Sequence, residues 1–204
     1  MLVRFISITT PAIDDCKTAE ELIMYCARVS SDNQNSKDTD LLKYLIRHKH
    51  FSPFEMASMC VEITTSRAIA PQILRHKSFS FQEFSQRYAC VTEFEPIELR
   101  YQGDSKQGSD EVIRNINLYY LLEQVYRSEC IYKELITEGV SRETARMVLP
   151  LCTQTKLYMS GTVRSWIHYL NTRLKSDTQK EHRLIAVEIS KIFAEQFPII
   201  NSIL

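Results

Sequence analysis

Four glycines in 204 residues limit this chain before any other feature does. Glycine-rich phosphate loops and the GxGxxG turn of dinucleotide folds need glycine at fixed offsets, where the backbone must approach a ligand or adopt positive φ. No such run occurs, which argues against a Walker loop and a doubly wound nucleotide fold. Phosphate would have to be held by arginine forks and helix amino ends. No flexible linker or internal repeat appears either, and the length suits a single domain, residues 1–204.

Hydrophobic periodicity fills in the rest. Residues 2–9 read as a strand. Leu22, Ile23, Cys26 and Ala27 form one helical stripe, and Leu41, Leu42, Leu45 and Ile46 another. Met59, Val61 and Ile63 alternate with Cys60, Glu62 and Thr64, the period of a half-buried strand. A helix then runs to His76, with Pro71 implying a late start or a kink. Leu118, Leu121, Leu122 and Val125 predict a long helix over about 109–138, closed by Gly139 at C′. Ser141 suits an N-cap, and Pro150 ends the element that follows. Residues 153–160 predict a strand. Two helices come next, one with the stripe Val163, Trp166, Ile167 and Leu170, the other with Ile185, Ile189, Ile192 and Phe193. Stretches 30–38 and 100–110 read as loops. Few strands, many helices and no βαβ alternation predict an α+β fold, a central antiparallel or mixed sheet flanked by long helices.

Acidic and basic residues balance at 25 each, so overall charge gives no support to generic binding of nucleic acid or an acidic membrane. The six cysteines are scattered without a CxxC pair, unlike a zinc site or a disulfide scaffold, and no metal is expected. The start lacks the build of a signal peptide and no run reaches membrane-spanning length, so the chain reads as soluble and cytoplasmic.

Four polar constellations remain. "RHKSFSFQEFSQRY" (75–88) interleaves charges and aromatics too closely to separate into faces. "HKHFSPFE" (48–55) places His48, His50 and Ser52 in a proline-containing turn. Arg142 and Arg146 stand four apart, a spacing that shares a helical face. Arg164, His168 and Asn171 share a face opposite the Trp166 stripe, with Arg173 just beyond. Each of the last three, taken alone, also has an ordinary reading as loop residues or a solvated helix face. A Ser85/His50 or Ser85/His76 hydrolase finds no GxSxG elbow.

Together these residues resemble the flavin-dependent thymidylate synthases. Arg75-His76-Lys77, seven residues and Ser85 match that family's signature of Arg-His-Arg, seven residues and serine. "HKHFSPFE", "QILRHK", E-x-S-x-R-Y at 83–88, RExARxVLP at 142–150, Arg164-Ser165, LNxR at 170–173 and QxE at 179–181 follow in the family's order. The resemblance implies a homotetramer with active sites between subunits. It implies methylation of dUMP to dTMP with methylenetetrahydrofolate as carbon donor, and FAD and NADPH as the source of hydride. That route needs no cysteine nucleophile, in keeping with the absence of cysteine from the four constellations. By resemblance, Gln72, Arg75, Glu83, Ser85, Gln86, Arg87, Arg146 and Arg173 contact dUMP. Ser52, Arg75, His76, Lys77, Glu83, Thr162, Arg164 and His168 face FAD, and His50 lies near flavin and folate. Arg173 carries the expected catalytic role beside N3 of the pyrimidine, with His50 the other catalytic candidate. Ser85 is read as a binder of the nucleotide rather than a nucleophile.

The chain departs from the family pattern on the flavin side. Lys77 replaces an arginine and loses its bidentate fork. Thr162 and His168 stand where asparagines are usual, Asp177 where histidine is frequent, and no acidic residue follows two after Arg173. Two alternatives stay open: a flavoprotein of this fold acting on another pyrimidine nucleotide, and a single-stranded nucleic-acid module stacking bases on the aromatics of 78–88. Neutral charge and Glu83 inside the patch weigh against the second.

Overall fold

The computed structural model describes residues 1–90, 93–104 and 108–204, with Asp110 described by its backbone alone. In chain order the elements are β1 (Leu2–Ile8), α1 (Ala19–Ala27), α2 (Asp40–Arg47), β2 (Ser58–Ser66), α3 (Ala70–Leu74), β3 (Ser80–Glu83), β4 (Arg100–Gln102), β5 (Ser109–Val112), α4 (Ile116–Tyr126), α5 (Ser128–Thr137), α6 (Arg142–Ala145), β6 (Gln154–Thr162), α7 (Val163–Arg173), α8 (Lys180–Gln196) and α9 (Pro198–Asn201). Four strands form a sheet in the order β1-β2-β6-β3, and β4 pairs antiparallel with β5 as a separate ribbon. The α+β class follows the sequence pattern.

The chain divides into two compact units. One comprises residues 3–63, 76–81 and 158–204; the other comprises 1–2, 64–75 and 82–157. In the first, Met59, Val61 and Ile63 are buried as the alternation predicts. The α7 stripe of Val163, Trp166, Ile167 and Leu170 is buried as well, and Trp166 Nε1 donates to the Met59 carbonyl at 3.0 Å. That bond satisfies the one polar atom of the largest core side chain. Helix α8 packs on α7, and its Ile185, Ile189 and Phe193 are buried. Gly161 has no room for a side chain, because a Cβ there would meet the buried Phe79 ring at 2.4 Å.

In the second unit, Pro71 stands in the first turn of α3, so the late start holds rather than the kink. Gly139 takes φ 83° after α5, the left-handed C′ geometry expected of it. Three expectations are corrected. The predicted helix over 109–138 begins only at Ile116, because Ser109–Val112 pairs with Arg100–Gln102. It is also broken at Arg127, where the Ser128 hydroxyl donates to the Val125 carbonyl at 2.7 Å, a back-bond that bends helices. The stretch 100–110 is therefore a ribbon rather than a loop, with 105–107 outside the described residues. Ser141 precedes α6, but its hydroxyl bonds the Thr144 hydroxyl and caps no backbone N–H. Among the described residues, no helix is long and apolar enough to cross a membrane.

Candidate active site

In the unit built on α7 and α8, the turn at 48–55 is fixed by backbone geometry. Lys49 adopts φ 57°, the left-handed region that side chains avoid, and His50 N–H bonds the Leu45 carbonyl at 2.8 Å. His50 and Ser52 are exposed, Ser52 opening the 3-10 turn Ser52–Glu55. A strained turn that presents a histidine to solvent is the kind of feature found at functional sites. Beside it lies a cleft of about 540 Å3. Its walls are Phe51 and Ile167 on the apolar side, and Glu55, Ser78, Arg164, Ser165, His168 and Asn171 on the polar side. Arg164, His168 and Asn171 thus line one space, as their shared helix face predicts. Arg164 ion-pairs with Glu55 across it.

Thr162 stands at the start of α7. It N-caps α7, its hydroxyl accepting the Ser165 N–H, while Ser165 Oγ donates to the Ser78 carbonyl at 3.1 Å. Lys77 is exposed in the turn that joins His76 to Phe79. His76 is half-buried and accepts the Nε–H of Arg173 at 2.9 Å, so the 75–88 segment and the carboxyl end of α7 meet at one bond. Behind them, Tyr169 OH and His182 Nε2 are 3.1 Å apart, both wholly buried. Burial, then the charges of Arg173 and His168, push the His76 imidazole down to about 4. Burial, then Arg173 and His76, push His182 down to about 3. Burial holds the Tyr169 phenol above its ordinary range.

Burial, partial for His76 and complete for His182, favours the uncharged imidazoles, which sets a pH dependence. Their folded-state values lie below the unfolded value, so the stabilisation is fully present above about pH 6.5 and is lost as pH falls toward 4. The melting temperature should fall once pH drops below 6.5. In His182→Gln, which keeps a partner for Tyr169 OH but does not titrate, the slope should be shallower. A melting temperature flat between pH 6.5 and 5 would contradict the burial of neutral imidazoles.

The other unit gathers most of the residues that resemblance ties to the nucleotide. Glu83 is anchored twice: Thr155 Oγ1 donates to Oε1 at 2.9 Å, and Arg67 pairs with the same oxygen at 3.6 Å. Arg67 also donates to the Phe84 carbonyl, and its Nε is buried without a partner. Arg146 lies close enough to repel the Arg67 charge. Arg87 pairs with Glu143 at 3.1 Å, and Arg146 Nε donates to the Glu143 carbonyl at 3.3 Å. Arg87 and Arg146 therefore converge on one residue. Arg142 instead donates to the Tyr88 carbonyl, next to Arg87 in the chain. It belongs to α6 while Arg146 opens the 3-10 turn Arg146–Val148, so the two do not share a regular helix face. Ser85 Oγ accepts the Arg87 N–H, closing the local turn. Gln86 is buried with Nε2 unpartnered, Gln72 is half-buried on α3, and Arg75 is exposed at its C-cap. An orphaned amide, repelling guanidiniums and an anchored carboxylate form a donor-rich surface suited to an anion with polar edges.

Arg67, Tyr169 and His182 are not among the sequence-derived candidates. His182 stands one turn before Ile185 and Ala186 in the buried α8 stripe, which was its one available signal. Arg67 follows β2 directly and carries none.

The family model for thymidylate synthase complementing protein matches residues 12–199. The flavin-dependent thymidylate synthase of Synechocystis sp. is 50% identical over 213 aligned positions, covering 100% of this chain and 99% of that one. A probable flavin-dependent thymidylate synthase of Paramecium bursaria Chlorella virus 1 is 47% identical, covering 97% and 96%. In fold, the chain is similar to the crystal structure of a UMP/dUMP methylase from Streptomyces cacaoi bound with 5-Br dUMP. The TM-score is 0.84 at 24% identity, covering 99% of this chain and 93% of that one. The chain belongs to the flavin-dependent thymidylate synthases, a family of methyltransferase enzymes.

Proposed function

We propose that the chain is a single catalytic domain that assembles as a cytoplasmic homotetramer and methylates dUMP to dTMP. Methylenetetrahydrofolate is the carbon donor and NADPH the reductant in this reading. The observation that carries it is 50% identity to a flavin-dependent thymidylate synthase over the full chain, with the motif residues at 48–55, 75–88, 142–150 and 164–173 in place.

The cleft beside α7 fits an FAD. Phe51 and Ile167 offer apolar surface to a planar ring, while Arg164, His168 and Asn171 offer donors to phosphate and adenine. Ser52, His76, Lys77 and Thr162 belong to the same proposed set, with Arg75 and Glu83. When bound, the flavin supplies the hydride. His50, exposed on its strained turn, is assigned to the flavin and folate side.

The remaining chemistry falls to this chain's side chains. Arg75, Arg87 and Arg146 neutralise the phosphate of dUMP, helped by the Ser85 hydroxyl. Gln72, Gln86 and Glu83 read sugar and base edges. Arg173 acts on the pyrimidine, where its fixed guanidinium stabilises negative charge on N3 and the adjacent carbonyl as the base is activated. Among the described residues, neither terminal nitrogen of Arg173 has a partner, and both are available for that purpose.

The test uses purified protein, which should be yellow with an oxidised-flavin spectrum. It should release tritium from dUMP labelled at C5 only when methylenetetrahydrofolate and NADPH are both supplied. A colourless protein that releases no tritium with every component present overturns the reading. Salt-sensitive binding to single-stranded oligonucleotide would then favour the nucleic-acid module.

A further inference from the structure

We propose that His76 is the positioning residue for Arg173: its unprotonated Nε2 accepts the guanidinium Nε–H, fixes the plane of the fork and leaves both terminal nitrogens for the nucleotide. The inference rests on the assignment of Arg173 to the pyrimidine made above.

The geometry is specific. An arginine has five N–H donors in a rigid planar fork, and a bond at Nε fixes its orientation without occupying either terminal nitrogen. The His76–Arg173 bond is 2.9 Å long and joins residues 97 positions apart. Arg173 is the last residue of α7, where the helix dipole favours a cation. A carboxylate at the position of His76 would hold the fork too, but it would cancel the guanidinium charge and draw on more than one donor. A neutral imidazole accepts one bond and leaves the positive charge whole.

For that bond to exist, the proton of His76 must sit on Nδ1, and protonation of Nε2 would set donor against donor and charge against charge. The surroundings enforce this. From α7, Arg173, His168 and Tyr169 face the ring; from α8, His182 does; from its own turn, Phe79 does. Burial disfavours the imidazolium, and the positive charge of Arg173 beside the ring adds to that. Tyr169 packs edge-on at 4.9 Å between ring centroids and sets the ring plane. Its hydroxyl is held by His182 Nε2, so the wall behind His76 is neutral and dry.

The experiment is a nitrogen-15 NMR titration of the full-length protein with the flavin it retains. His76 should remain in the Nδ1–H tautomer, unprotonated, from pH 8 to pH 5. In Arg173→Met, which removes donor and charge together, its midpoint should rise by about one unit or more. A wild-type His76 that titrates near 6.5, or a midpoint unmoved by Arg173→Met, overturns the inference. A second pair of variants reads binding. His76→Leu should weaken dUMP affinity at least about tenfold by calorimetry, the scale of one lost oriented hydrogen bond. His76→Gln, whose amide oxygen can accept the same N–H, should recover most of it. Equal losses in both variants, with flavin content matched by absorbance, also overturn it. A protein that shows the NMR coupling yet releases no tritium from dUMP would instead defeat the proposed function and leave the His76–Arg173 pair standing.

Discussion

An Arg173→Ala enzyme, loaded with flavin and saturated with dUMP, is expected to turn over about 10²–10³ times more slowly than the wild type, equivalent to about 2–4 kcal/mol of barrier. Charge that develops only as the pyrimidine is activated is stabilised by donors already in place, which costs no reorganisation at the moment of reaction. The loss should therefore appear in kcat, and not merely in KM. Arg173→Lys should recover only part of it. The charge returns, but the planar fork and the Nε bond to His76 do not. Because Arg173 is half-buried at the end of α7 and takes no part in the Trp166 core, both variants should fold. The check is single-turnover kinetics with nucleotide and flavin binding measured separately. Normal turnover by Arg173→Ala with both ligands bound would remove Arg173 from the chemistry.

Period and punctuation carried the fold as far as each segment obeyed one rule. The alternation of Met59, Val61 and Ile63 and the stripe of Val163, Trp166, Ile167 and Leu170 became buried faces because they pack against one another within one unit. Pro71 and Gly139 marked their helix ends through φ preferences that context rarely overrides. Strand β3 was hidden, since in "SFQE" neither face is uniformly apolar; the burial pattern shows Phe81 and Glu83 half-covered and Ser80 and Gln82 exposed. The helix predicted over 109–138 failed because an apolar stripe says which face is covered, not by what or how far the element extends. The site divided in the same way. Motif order named Arg87, Arg146 and Arg173, but spacing held no sign that Glu143 would gather the first two, or that His76 would take the Nε of the third. Nor could it show that the Thr162 hydroxyl is used to cap α7.

Helix α4 bears on the proposed assembly. Its eleven residues include the apolar stripe Leu118, Leu121, Leu122 and Val125, yet none of its residues is buried in the protomer, and Leu121 is 65% exposed. Ile116 and Tyr120 on the same helix, and Ile131 on α5, are exposed as well. The stripe of Leu118, Leu121, Leu122 and Val125 has no full cover within the protomer, and in the proposed tetramer other copies of the chain provide one. Leu121→Asp separates the two possibilities by magnitude. On a free surface, such a change should alter stability by no more than about 0.5 kcal/mol and leave assembly untouched. Between copies, it buries an unpaired carboxylate in each symmetry-related contact, and the tetramer should dissociate into smaller species with loss of nearly all activity if the sites are shared. Sedimentation velocity and tritium release on the same preparation decide it, with circular dichroism confirming that the variant protomer is folded. A Leu121→Asp protein that remains tetrameric and fully active would place the subunit contacts elsewhere, because a charge repeated at every copy of a covered face cannot be silent.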